Sequence, residues 1–279
     1  MEHAMDFTML NSFRAELVSD EKSKATINKY LRDLETFSRF AAGNVITKEL
    51  VISYKQYLVE RYAPASVNSM LAAINRFFKV QGWYDCIVKT LKIQRQSFRE
   101  KERELTKDEY FRLLHAAKER GNMRLYVLMQ TICATGIRVS EVQFITMEAV
   151  RRGRAAVSLK GKIRQVLLPS DLCRELQRYA KEQGISTGRI FVTKSGKPMD
   201  RSNILHEMKA LCKTAGVERT KVFPHNLRHL FACLYYKVSK DLSRLADVLG
   251  HTNVNTTRIY TCVSGLEQVR QLERLGLVI

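Results

Sequence analysis

Apolar residues recur every three to four positions along most of the chain, which predicts a largely helical protein. In SKATINKYLRDLETFSRFAA, Ile27, Tyr30, Leu31, Leu34, Phe37 and Phe40 share one helical face, with Ser23 or Thr26 as the cap. Residues 47–60 give a second helix with Leu50, Tyr54, Tyr57 and Leu58 as its apolar side. Pro64 opens a third, whose stripe of Val67, Met70, Leu71, Ile74, Phe77 and Phe78 reads as core. The next stretch, QRQSFREKERE at residues 94–104, is polar, charged and without apolar period, and is read as a linker. A helical domain over 1–93 and a second domain over 105–279 follow. Leu105, Thr106 and Glu109 start the second domain with the spacing of a capping box.

Residues 123–135 are strongly apolar and predict a buried helix ended by Gly136, which delivers Arg138 at the following turn. A short helix is expected over 139–144. β-like runs at 155–159 and 164–168 flank Lys160-Gly161-Lys162-Ile163, a hairpin signal. Helices are expected over 171–183 and 201–216, with a further strand at 189–192. His225 and Arg228 stand three apart, on one face of a helix beginning near Pro224. Residues 239–249 are again helical, with Leu242, Leu245, Ala246 and Leu249 on one side and Gly250 at the end. His251 therefore falls just past a helix end, and Tyr260 lies nine residues on. The tail, 261–279, keeps an amphipathic pattern in Leu266, Val269, Leu272 and Leu275. The fold class is mainly α with a small antiparallel sheet in the second domain.

Charge narrows the function. Net charge is +19 over 279 residues, which points to a polyanionic partner. The excess is uneven, +4 over residues 1–95 and +15 over 105–279, so the second domain is expected to make most phosphate contacts. Lys24, Lys29, Arg32, Lys55, Arg61, Arg76 and Lys79 lie among polar positions of the first domain, either as solvated charges or as contacts to a DNA backbone. The six cysteines, Cys86, Cys133, Cys173, Cys212, Cys233 and Cys262, form no C-x-x-C pair and read as buried free thiols. No clustered ligand set suggests a metal, no apolar run has the length of a membrane span, and MEHAMDFTML lacks the order of a signal peptide. A cytoplasmic protein is expected.

Three segments carry chemistry. FPHNLRHLFACLYYKVSKDLSRLADVLGHTNVNTTRIY holds H-x-x-R, then G-H, then Tyr260. ATGIRVSE lies upstream at 134–141, and SLKGKIR at 158–164. In this order the segments resemble the active-site motifs of the tyrosine recombinases, the phage integrase family. The chain looks like a compact, Xer-like member, with no further domain expected before residue 1. A tyrosine hydroxyl can attack phosphorus and hold a DNA end as a phosphotyrosyl ester. The anionic transition state needs fixed cations, and guanidinium forks grip two oxygens at once. The resemblance makes Tyr260 the nucleophile and Arg138 with Arg228 the clamp on the scissile phosphate. It gives His225 the task of assisting the nucleophile, and His251 a hydrogen bond to a non-bridging oxygen. It assigns the leaving 5′-oxygen's proton to the hairpin lysine. Lys160 is favoured for that role, with Lys162 as its local competitor, because this turn is one residue shorter than the common G-K-G-x-K form. Glu141 matches an acidic position that holds the first arginine, or is a surface carboxylate. His229 is read as support. Lys162, Arg164, Lys24 and Arg76 are candidate DNA contacts. None of these roles calls for a cofactor or a metal.

The resemblance implies a C-shaped clamp made of a helical core-binding domain and a catalytic domain. It implies a dimer on double-stranded DNA with inverted half-sites and a tetramer at synapsis, passing through a Holliday junction. A partner recombinase or directionality factor fits the same scheme, as does a tail that docks on a neighbouring protomer. Two rival readings remain at this level: a type IB topoisomerase-like relaxing enzyme, and a catalytically inactive DNA-binding regulator.

Overall fold

The computed structural model describes residues 3–93, 104–159, 162–193, 195–260, 269–270 and 273–276. Two compact units divide the chain, Met1–Arg95 and Gln96–Ile279. Most of the predicted tail, and Lys160 with Gly161 at the hairpin tip, lie outside the described residues.

In the first unit, α1 (Phe7–Ser19), α2 (Lys24–Ala41), α3 (Lys48–Arg61) and α4 (Pro64–Val80) pack around Phe13, Leu34, Phe37, Tyr54, Phe77 and Phe78. Each helix start has a local cause. Asp6, Ser23 and Thr47 accept hydrogen bonds from first-turn N–H groups, and α4 begins on Pro64, which has no N–H to satisfy. After α4, two asparagines clamp the exit strand of chain. Asn75 bonds both the N–H and the carbonyl of Val88, and Asn68 does the same for Leu91. His3 ties the other end down, stacked on Trp83 and bonded to Asp85 at 3.0 Å.

The second unit is built around α6 (Met123–Thr135), whose Leu125, Leu128, Met129 and Ile132 are fully buried. It packs against α5 (Lys107–Glu119), α8 (Ser170–Glu182) and α11 (Pro224–Ser239). The predicted capping box forms, with Thr106 and Glu109 each bonding the other's backbone N–H. A 3-10 turn (Val139–Phe144) and α7 (Met147–Arg151) lead to the hairpin of β1 (Arg154–Leu159) and β2 (Lys162–Leu167). The strands are antiparallel, with Val157 opposite Arg164 and Leu159 opposite Lys162.

Two expectations are corrected. Residues 189–192 add no strand: Arg189 and Val192 make single bridges, to Thr146 and Pro198, so the sheet has two strands. The helix expected over 201–216 is broken at Leu211 into α9 (Arg201–Ala210) and α10 (Cys212–Ala215). The chain then enters α11 and α12 (Leu242–Leu249), followed by short 3-10 turns Val254–Thr256 and Arg258–Tyr260. Among the described residues no helix is long and apolar enough to cross a membrane, and Cys86, Cys133, Cys173, Cys212 and Cys233 are free thiols.

Candidate active site

Three chain reversals assemble the site. The first is at Gly136, where φ is +64° and α6 ends. A Cβ there would run into the Phe231 ring, so both the left-handed backbone and the close approach of α11 require glycine. Its carbonyl accepts a 2.5 Å hydrogen bond from Arg228 Nη1. The second is the Pro224 start of α11, which sets His225 at the exposed helix mouth and Arg228 one turn deeper, 2% exposed. The third is Gly250, φ +65°, which ends α12 and turns out His251.

Arg228 joins all three. Its Nη2 donates to the Leu249 carbonyl at 2.8 Å and to His251 Nε2 at 2.9 Å. An arginine only donates, so Nε2 is the acceptor and the imidazole carries its proton on Nδ1. Nδ1 then donates to Thr257 Oγ1 at 2.8 Å. Burial, and then the positive charges of Arg228, Arg138 and Arg164, push His251 down to about 4, so it is neutral at physiological pH. Burial and the neighbouring Arg138 lower Arg228 to about 10, while Tyr260 in its ionised form acts the other way. Arg228 remains a cation, but a desolvated one lying next to another.

Arg138 is more open, with 39% of its side chain exposed. Glu141, 2% exposed, accepts from Arg138 Nη1 and from the Arg138 backbone N–H, both at 2.8 Å. Burial alone would raise this carboxyl, but the hydrogen bonds from Arg138 and the charge of Arg164 outweigh it and hold it below the usual range. Arg138 Nη2 also reaches the Gly250 carbonyl at 3.4 Å.

Tyr260 is 4% exposed and sits between two imidazoles. Its ring stacks near His251, centroids 6.3 Å apart and 15° between planes, and meets His229 edge-on at 5.2 Å. His229 also contacts the Cys233 thiol at 3.5 Å. Two clefts open on either side of Arg138. One of about 620 Å³ is lined by Arg138, Glu141, Arg164, Gly250 and His251. The other, about 200 Å³, is lined by Arg138, Arg201, His225 and Arg228.

The structure thus brings together Arg138, Glu141, His225, Arg228, His229, His251 and Tyr260. Lys160 lies outside the described residues, and Lys162 is the first residue of β2. Arg164, expected on the DNA backbone, faces inward: Nη2 donates to Glu141 Oε2 at 2.7 Å and Nη1 to the Val248 carbonyl at 2.6 Å. Lys24 and Arg76 belong to the first unit. Lys24 is exposed at the start of α2, and Arg76 pairs with Asp20 at 2.7 Å, joining α4 to the end of α1. Arg201 was not singled out from the sequence. It follows the Asp200 cap of α9, a position that reads as ordinary surface, yet it lines the His225 cleft.

Comparison with known proteins bears on this arrangement. The model of the phage integrase family matches residues 103–265, and that of the phage integrase N-terminal SAM-like domain matches residues 10–83. The chain is 27% identical over 285 residues to the tyrosine recombinase XerA of Pyrococcus horikoshii, covering 99% of this chain and 96% of that protein. It is 26% identical over 267 residues to the tyrosine recombinase XerD of Halalkalibacterium halodurans, covering 87% and 88%. Its fold matches that of lambda integrase, solved as a tetramer bound to a Holliday junction, with a TM-score of 0.74, 17% identity, and 93% and 77% of the two chains covered. With the catalytic family model matched over more than half its length, this chain belongs to the phage integrase family, the tyrosine recombinases.

Proposed function

We propose that this protein is a site-specific recombinase that cuts and rejoins double-stranded DNA through Tyr260. The Tyr260 oxygen attacks the scissile phosphorus, a 3′-phosphotyrosyl bond forms, and the bond to the 5′-oxygen breaks. His225 assists removal of the phenolic proton, and a hairpin lysine protonates the leaving oxygen. Arg138 and Arg228 grip the non-bridging oxygens as negative charge builds on them. The ester conserves the bond, so a second DNA hydroxyl reverses the step without an external energy source. The observation that carries the reading is the buried join of Arg228 to His251, with Tyr260 packed on the same imidazole. His251 Nε2 accepts from Arg228 in the free protein. A phosphodiester that takes over the Arg228 donor and adds negative charge would favour a proton on Nε2, turning it into a phosphate donor.

Two copies would occupy inverted half-sites and four would join two duplexes, passing through a Holliday junction, at the nucleoid in the cytoplasm. A partner recombinase or a directionality factor fits the same scheme. The test uses nicked duplexes with randomised cores, so that no target sequence is presumed. Incubation should yield a denaturation-resistant protein–DNA adduct on a selected subset with inverted repeats. Relaxation of supercoiled plasmid with no site requirement would favour a topoisomerase, and absence of any adduct would favour an inactive DNA-binding regulator.

The choice between Lys160 and Lys162 has its own test. Lys162 is the first residue of β2, two positions before Arg164. The motif favours Lys160, with Lys162 as its local competitor. Loss of a general acid costs about 10²–10⁴ in rate. Lys160→Ala should show that loss on a normal duplex and recover when the 5′-bridging oxygen is replaced by sulfur, because a thiolate leaves without a proton. If Lys162→Ala shows the loss and the recovery instead, Lys162 is the acid.

A further inference from the structure

Arg164 lies on the hairpin, 16% exposed at its side chain, and its guanidinium is spent on two different parts of the second unit. One end donates to Glu141, the carboxylate that also holds Arg138. The other donates to Val248, in the last turn of α12, three residues before His251. Gly250 makes the second contact possible, since a Cβ at that position would lie 2.5 Å from Arg164 Cδ. Arg138 Nη2 touches the Gly250 carbonyl and closes the circuit. The ring of contacts therefore runs from Arg138 to Glu141, to Arg164, to the α12 end, and back.

We infer that Arg164 is a positioning residue for strand cleavage: through Glu141 and the α12 end it fixes Arg138 and the His251 turn as one unit with the hairpin. The inference rests on the recombinase reading above. Two physical effects support it. The first is charge. Arg138, Glu141 and Arg164 together carry one net positive charge, and removing Arg164 would leave Glu141 to neutralise Arg138, so that this pair would bring no net charge to the phosphate and Arg228 would meet it alone. The second is geometry. The planar fork spans a carboxylate and a carbonyl at once, which a single ammonium group does not do. Among the described residues the Arg164 Nε is buried with no hydrogen-bond partner, a cost set against the two hydrogen bonds of its Nη groups.

The test uses the full chain and the nicked duplex trapped by the unaltered protein, in two forms: the natural phosphate, and a neutral methylphosphonate at the scissile position. A displacement of about 1 Å at a reacting group costs on the order of 10²-fold in rate. Arg164→Met should slow single-turnover cleavage of the phosphate duplex by about that factor, while half-site binding is retained. On the methylphosphonate duplex the deficit should shrink, because there is less developing charge for Arg138 to meet. A purely structural role would cost the same on both duplexes. Arg164→Lys, which keeps the charge but not the fork, should recover part of the rate. Cleavage by Arg164→Met at the parent rate, equal deficits on both duplexes, or binding that falls in step with cleavage would each overturn the inference. Should Arg164→Met fail to fold by thermal melting, Arg164→Lys decides alone: a parent-like rate refutes the idea, and slower cleavage at unchanged melting temperature supports it. No adduct from the unaltered protein would instead overturn the recombinase reading, and this inference with it.

Discussion

Replacing Tyr260 by Phe should eliminate the covalent protein–DNA adduct while specific binding persists. Phenylalanine keeps the ring and removes only the oxygen. The packing around it, with Ala232, Leu245 and Leu249 in one buried cluster and the imidazoles of His229 and His251 alongside, stays filled. No substitute nucleophile is positioned by that change. Loss of an enzyme's nucleophile has cost about 10⁶ in kcat in a well-studied hydrolase, so the expected result on a denaturing gel is no band above background. A gel-shift assay on the same duplex should give unchanged half-site affinity. Tyr235 and Tyr236 are the controls, since they lie in the same region, packed against the same cluster. An adduct that survives Tyr260→Phe and disappears with one of them would move the nucleophile to α11.

Local signals carried most of the architecture. The cap at Thr106, the proline starts at Pro64 and Pro224, and the glycine ends at Gly136 and Gly250 each act over a few residues and appear where the sequence put them; of Ser23 and Thr26 the cap is Ser23, and Thr47, read as the first residue of its helix, caps it instead. The helix α1 was not individually delimited, because its apolar residues do not gather into one clear face. Its N-cap Asp6 is the signal that was there to find. The extra strand at 189–192 failed for lack of a partner: a β-like run forms a ladder only if another edge is free along its length, which no window of sequence reveals.

The site shows the same division. The order of reactive side chains was legible because their types and spacings are local. What each does to its neighbour was not. Arg164 looked like one more basic residue for the DNA backbone until the fold placed it between Glu141 and Val248. The acceptor state of His251 Nε2 is imposed by Arg228, 23 residues away in the chain. Arg201 lines the His225 cleft from a separate helix.

Arg228→Ala is expected to slow cleavage by about 10²–10³, the usual cost of removing one transition-state donor, and to change the titration of His251. The side chain is 2% exposed, bonded to the carbonyls of Gly136 and Leu249 and to His251, and it lies beside a second cation. Such a charge is held at a cost in the free protein, and the added negative charge of the transition state relieves that cost further than the ground-state phosphodiester does, which makes the interaction selective for the transition state. Truncation removes the donor and leaves two buried carbonyls short of a partner, a loss of roughly 1–3 kcal/mol each if no water replaces it. Arg228→Lys should not restore the rate, because one ammonium cannot serve both carbonyls and a phosphate oxygen. The accompanying change in His251 has a definite sign. Burial is the first cause of its depression to about 4, and the Arg228 charge the second. With the arginine gone, burial remains but the nearest positive charge does not, so the imidazole should titrate above 4 yet still below its ordinary value. The stability that a neutral buried His251 contributes is present above its unfolded value and is lost as pH falls through the folded one, so in the variant that loss should start at the same pH but be smaller and complete at a higher pH. Histidine ring NMR across pH 3 to 8 reads the shift directly. An unchanged titration together with unchanged single-turnover cleavage would mean that Arg228 neither holds the imidazole nor meets the phosphate. Slowed cleavage with His251 unmoved would confine Arg228 to the phosphate and detach it from the imidazole.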